Sequence, residues 1–397
     1  MKRIFSVFVA IILFCGCTSN ENISQNNSGD TLSVKESLVS SFSQADESDA
    51  NSEELDINNA FFRVPMDLGI PLESKYAEYP LALTPRDMIV YDGFLYISSG
   101  DWTGNKGPVE MYRYDIENSK WENSGTLLDE EINSFHLIED TVYIPGVDPM
   151  ESWDWGNLYL LQNGGWQTRR TIPNGIHCFD LAYQNDVLFA AVKTSADYHQ
   201  VAVSHDMGKT FVYAPLIKNG ETISNPEFYY DLFVIGNDVF AFCDYELYRY
   251  DGSQFLHVTS WKETIKTKYY NTPSSGIFSG EVNDDTRLYF STGYFYICDE
   301  VKNVRQIDTP NKEIVYDMCL HDEKMYLLCN LKIDAGYEVT VYRFDIADEQ
   351  FLIEAKVISD IPAISFAITD DKIYFGTASN NFKKQNHGRI FEIERTI

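Results

Sequence analysis

Basic residues are scarce: the 397-residue chain carries 31 Lys and Arg against 60 Asp and Glu, a formal net charge of −29. Affinity for a phosphate backbone comes largely from clustered Lys and Arg, so nucleic acid is excluded as a partner. Direct adsorption to anionic lipid is disfavoured for the same reason. There is no CxxC pair, no Gly-rich phosphate loop, no GxSxG and no HExxH. Zinc, nucleotide, serine-hydrolase and zincin chemistries therefore lack their usual signatures. Beyond Cys17, only Cys178, Cys243, Cys298, Cys319 and Cys329 remain. An odd, irregularly spaced set in a large domain is no disulfide framework, and these thiols are expected as small buried hydrophobes.

What is present is enough apolar surface to fold, with 44% hydrophobic and 14% aromatic residues, which excludes wholesale disorder. Met1-Lys2-Arg3 is a basic start, and the apolar run from Ile4 to Phe14 is too short to span a bilayer comfortably. It suits a signal-peptide core. The run ends in Phe14-Cys15-Gly16-Cys17, which resembles the lipobox of bacterial lipoproteins, although Phe14 stands where Leu is usual. In that family a small residue precedes the Cys that is lipidated and becomes the new N-terminus. The resemblance implies a signal peptide over 1–16, a lipid on Cys17, and anchoring to a membrane of the bacterial cell envelope, outside the cytoplasm. The alternative is a plain secretory signal. Residues 17–58 read as a disordered tether: past Cys17 they hold nine acids and one base, Lys35, and almost no aromatics. Such a segment cannot bury enough to offset its ordering entropy.

From about residue 86 the chain repeats. A polar turn followed by an aliphatic–aromatic pair recurs, ending at Tyr96, Tyr143, Phe189, Phe240, Tyr289, Tyr326 and Tyr374, with spacings between 37 and 51 residues. That period suits a four-stranded propeller blade. An apolar segment before each turn pairs with the segment after it as a hairpin. A third strand follows, as in Met111-Tyr112-Arg113-Tyr114, and a fourth carries Trp121, Trp166, Phe211, Phe255 or Phe351. No segment shows a sustained helical period. The last copy ends in its third strand, Ile390 to Ile393, and Phe61-Phe62-Arg63-Val64 is free to supply the missing fourth. Residues 59–397 are therefore expected to be all-β, a seven-bladed β-propeller closed by an N-terminal strand. An open array or two smaller β domains is the rival.

Ser204-His205-Asp206-Met207-Gly208-Lys209-Thr210-Phe211 resembles the Asp-box of bacterial sialidases and related propellers. There it is a folding device in which Ser and Asp bond turn amides and the aromatic packs between sheets. Phe62-Arg63-Val64-Pro65 is similar to the motif that opens sialidase domains, whose Arg contacts the substrate carboxylate. On that resemblance Arg63 and Arg86 would be two arginines of a carboxylate-binding triad and Asp87 an acid. Against it, Arg113, Arg249 and Arg343 hold equivalent third-strand positions and read as structural. Seven blades also depart from the usual six, and fold alone does not set function.

Propeller ligands usually bind where the inner strands begin. Counting back from the anchor aromatics places Asp87, Ser134, Asp180, Asp231, Gly280, Asp317 and Ser365 there. Carboxylates so placed attract a cation such as Ca²⁺ or bond sugar hydroxyls, unless they serve backbone amides. The loops expected on this face carry Trp102, Trp153, Trp155, Asp197, Tyr198 and His199, and the insertion from Trp261 to Ser275 brings Lys262, Lys266, Lys268, Tyr269 and Tyr270. Exposed Trp and Tyr beside Asp and Asn suit sugar rings and protein hot spots, or else tuck into loop clusters. His177 and His199 lack partners at metal-ligand spacing. The function expected is a non-catalytic platform for a glycan or another envelope protein, the alternatives being a sialidase-like glycoside hydrolase and an envelope assembly scaffold. Its ligand-binding residues would be Asp87, Asp180, Asp231, Asp317, Trp102, Trp153, Trp155 and Tyr198, with no cofactor beyond that Ca²⁺.

Overall fold

The turn-plus-aromatic signal folds as an antiparallel hairpin in each copy, beginning with Met88–Tyr91 against Phe94–Ile97. Several turns take positive φ at both central residues, 53° and 60° at Asn185 and Asp186, 49° and 59° at Asp322 and Glu323. Asn and Asp tolerate that conformation best, and it matches the twist of the flanking strands. The computed structural model describes residues 61–395 except 197, 224–229, 244, 266–278, 283–287, 292 and 379–385. The signal peptide, Cys17 and the tether thus lie outside the described residues, as do Asp197, Lys266, Lys268, Tyr269 and Tyr270. Asp56–Ile397 forms one compact unit.

Among the described residues six sheets contain the strands, most of them meanders in chain order. The first joins Met88–Tyr91, Phe94–Ile97, Val109–Asp115 and Lys120–Leu127. A nine-stranded sheet holds two meanders, 136–173 and 175–214, joined where His177 pairs with Val147. The short strand Asp129–Ile132 lies against Thr141–Pro149 in the same sheet. A six-stranded sheet spans Tyr230–Ile235 to Phe255–Ser260 and is widened by Leu216–Lys218, parallel to its outer strand, and by Glu221–Thr222. Two further sheets run from Ser279 to Ile307 and from Ile314 to Ser359. The last takes Ala363–Ile368, Lys372–Thr377 and Ile390–Glu394 from the C-terminus and adds Met66–Gly69 from the N-terminus. Among the described residues helical turns are limited to Glu73–Tyr76, Pro80–Leu83 and Trp102–Gly104.

The N-terminal strand therefore lies a few residues later than Phe61–Val64. Pro65 has no N–H to donate, and pairing with the final strand begins only at Met66, opposite Glu392. Phe62 instead forms a parallel bridge to Lys356 on the outer edge of the preceding sheet, with Arg63 N donating to Lys356 O at 2.8 Å.

Apolar burial is arranged sheet against sheet. All the anchor aromatics, from Tyr96 to Tyr374, are buried. Fourth-strand aromatics reach across to the neighbouring sheet: Trp166 meets Tyr96 edge-on at 5.8 Å, and Phe255 meets Phe189 at 6.1 Å. One cluster unites Leu95 and Ile97 of the first sheet with Phe366 and Tyr374 of the last, so the two ends of the chain share a core. Arg113 and Arg343 pair with Glu122 and Glu354 on the adjacent strand, and Arg249 with Asp238, as structural arginines would. Of the five described cysteines, four are buried.

The turn at 204–211 is internally bonded. Ser204 Oγ accepts from Gly208 N at 2.7 Å, and Asp206 accepts from Thr210 N and Oγ1 at 2.9 and 2.7 Å. The Thr210 bonds hold the Asp206 carboxyl down at about 2. Gly208 has φ +82°, and a Cβ there would fall 2.6 Å from Leu158 Cδ2 in the neighbouring meander. Gly208→Ala should cost about 1–3 kcal/mol from backbone strain and overpacking. Thermal unfolding should show a midpoint several degrees lower, and an unchanged midpoint would contradict the assignment.

Candidate functional site

Asp87, Asp180 and Asp317 occupy equivalent places on inner strands and use their carboxylates alike. One oxygen accepts the amide of the following residue, Met88, Leu181 or Met318, at 2.7–2.8 Å. The other accepts an amide from the next meander, Phe135, Leu232 or Phe366, at 2.7, 2.6 and 2.9 Å. The register shifts just before Asp180 and Asp317, a bulge that re-aims the side chain toward its neighbour. Ser365, in the same register, donates to Pro85 O at 2.5 Å, while Ser134 meets His136 Nε2 at 3.0 Å. Three of the four acids named at the inner-strand starts thus fasten sheet to sheet through backbone amides. Burial, followed by the neighbouring charge of Asp180, raises the pKa of Asp231.

Burial pushes Asp87 up to about 7 despite its two amide bonds, and raises Asp180 likewise. His136, 3.6 Å from Asp180, is held down to about 4 by burial. An acid at about 7 when folded and 3.8 when unfolded binds its proton more tightly in the native state. Its contribution to stability is present at low pH and is lost as pH rises through 7. His136 acts oppositely, removing stability below its unfolded value of 6.5. The unfolding midpoint should therefore rise on acidification from about pH 8 to 6.5. A flat or falling midpoint over that range would contradict the burial of these acids.

A second acidic group was not singled out by its sequence. Asp129, Glu130 and Glu131 are consecutive, and strand pairing alternates their sides. Asp129 is fully buried, accepts from Tyr159 OH and from Asn157 Nδ2 (2.7 Å), and is pushed up to about 7 by burial. Glu131, also fully buried, pairs with Arg86 at 3.1 Å and accepts from Trp102 N at 3.2 Å. Glu130 is raised to about 7 by burial and then by Asp148 and Asp101. One of its oxygens is shut from solvent without a hydrogen-bond partner.

Main-chain bonds organise the loops around these acids. Asp101 N donates to Glu130 O, Met150 N to Leu128 O, Asn174 N to Asp154 O and Ser195 N to Asn174 O, at 2.7–3.0 Å. The segments bearing Trp102, Trp153, Trp155 and Tyr198 are thereby laced together, and all four rings are 39–55% exposed. Trp102 also reaches the second meander of the nine-stranded sheet, its ring 4.9 Å from that of His177, whose Nε2 is 3.1 Å from Asp148 Oδ2. Arg170 braces the 151–155 turn through Glu151 (2.9 Å) and the carbonyls of Ser152 (2.9 Å) and Trp155 (3.4 Å). Trp261, by contrast, is buried and belongs to a core cluster.

The residues named for a sialidase site are not assembled. Arg86 and Asp87 stand beside the inner strand of the first sheet, with Arg86 engaged by Glu131. Arg63 runs along the outer strand Gln350–Ser359. Among the described residues, one His/Asp group brings three ligand atoms within 4.8 Å of one another, His321, Asp322 and Asp370. It lies at the opposite, hairpin-turn end. There His321 meets Asp370 of the next sheet at 3.1 Å, much as Tyr91 OH donates to Asp140 O at 2.7 Å. It is an inter-sheet contact.

This all-β arrangement resembles solved β-propellers. The RRP9 WD40 repeats match at 8% identity over 79% of this chain and 94% of that one, with a TM-score of 0.51. The β-propeller domain of the Trilobed protease from Pyrococcus furiosus matches at 10% identity over 77% and 92%, TM-score 0.48. The computationally designed Ika8 protein matches at 10% over 78% and 96%, TM-score 0.46. At such identity the RRP9 likeness speaks for the fold alone: an all-β chain of the propeller class. No protein-family profile and no curated protein matches the sequence.

If Arg170 holds the aromatic loop, Arg170→Ala should speed amide exchange across 151–155 by about tenfold while shifting the unfolding midpoint little, since its ion pair is partly exposed. Unchanged exchange would show that the brace does not order the loop.

Proposed function

We propose that the chain is a lipid-anchored protein of the bacterial cell envelope whose seven-bladed propeller is a non-catalytic binding platform. Counting the nine-stranded sheet as two blades supports a count of seven, and the pairing of Met66–Gly69 with Ile390–Glu394 suits a closed ring. The bonds within 204–211 suit an Asp-box that serves folding. One observation carries the functional reading: Trp102, Trp153, Trp155 and Tyr198 stand exposed on loops tied to one another by backbone hydrogen bonds. Rings held outward in advance lose little entropy on binding. The occupant is a glycan or another envelope protein.

The test is a glycan array together with capture from an envelope extract, using the full chain and Trp153→Ala. Loss of one exposed aromatic anchor should cost about 2 kcal/mol, roughly thirtyfold in affinity. Turnover of a fluorogenic sialoside that disappears in Arg63→Ala would instead establish an enzyme. The anchor is tested separately: Cys17→Ala should move the protein from the detergent phase to the aqueous phase, and an unchanged partition would remove the lipid.

A further inference from the structure

The loop face carries a statement about its occupant, which rests on the platform reading. Met150 adds a fifth exposed apolar side chain to the four rings. Segments 101–107, 128–134 and 148–155 hold seven Asp or Glu and a single base, Lys106. That ammonium sits over the Tyr79 ring at 3.5 Å. Arg86 and Arg170 are engaged by Glu131 and Glu151. His177 faces Asp148, and Lys193 lies opposite it on the adjoining strand. Asp129 and Glu131 are fully buried and Asp101 nearly so, which leaves Glu130, Asp148, Glu151 and Asp154 at the surface against Lys106, Arg170 and Lys193. Glu130 keeps an oxygen closed to water and without a hydrogen-bond partner. A desolvated carboxylate in that state gains most from a cation brought by a ligand. An apolar centre rimmed by negative charge rejects an acidic occupant, including a second copy of this chain. A neutral glycan would cover the rings but bring no cation to Glu130.

We infer that this face docks a basic protein segment, one presenting Lys or Arg beside apolar side chains. Glu130 and Asp148 receive the cation, and Trp102, Trp153 and Trp155 receive the apolar part and the faces of further cations.

The test is a titration of the full chain in detergent micelles with labelled decalysine, decaglutamate and a neutral N-acetylglucosamine hexamer. Decalysine alone should bind. Glu130→Gln with Asp148→Asn should weaken it by about tenfold or more, and so should Trp153→Ala. Removing the same charge at the opposite end, with Asp322→Asn and Asp370→Asn, should leave affinity within about twofold. Equal weakening by both pairs would trace the attraction to the overall charge and overturn the inference. Hexamer binding that depends on Trp153, without decalysine binding, overturns it too while leaving the platform reading in place. Absence of decalysine binding alone also ends it.

Discussion

A carboxylate bridging two inner strands is the contact on which the rest of this structure depends. Each meander ends inward in a strand whose edge amides would otherwise face no partner. Asp87, Asp180 and Asp317 accept one amide from their own strand and one from the next. The acceptor sits in protein surroundings where a charge-assisted bond is strong and an unpaired amide costly. Farther out, aromatic contacts such as Trp166 on Tyr96 continue the same junctions. The junctions set the spacing of the sheets, and the spacing sets where the loops meet.

The formal charge of −29 divides by position into distinct kinds of work. Inner-strand acids fasten sheets, and Asp206 and Asp251 hold turns. The 129–131 run anchors loops through Tyr159, Arg86 and Trp102. The acids beside the loops include Glu130, next to Asp101 and Asp148, at the face proposed for binding. A binding role therefore concentrates on a small part of the acidity.

The hairpins and their buried anchors were legible in the sequence because turn chemistry and strand alternation are local signals. The N-terminal strand was misplaced by a few residues: Phe61–Val64 is the more apolar stretch, but the pairing is decided by Pro65 and by which edge lies open. The ring of Asp was found by counting, and service to backbone amides was one of its two readings, but the particular amides were not legible. A strand position does not reveal which amide lies opposite across a sheet junction. Glu131 and Arg170 gave no local signal, since Arg86 is 45 residues from Glu131 and Arg170 is 18 from Ser152. Exposed Trp153 and Trp155 were legible as decorated loop residues, but the brace beneath them was not.

Native-state hydrogen exchange at the amides of Phe135, Leu232 and Phe366 tests the fastening role most directly. These three should exchange only through global unfolding, and Asp317→Asn should release Phe366 while leaving Phe135 and Leu232 protected. Exchange of all three at the rate of exposed turn amides, or no selective loss at Phe366, would contradict the account.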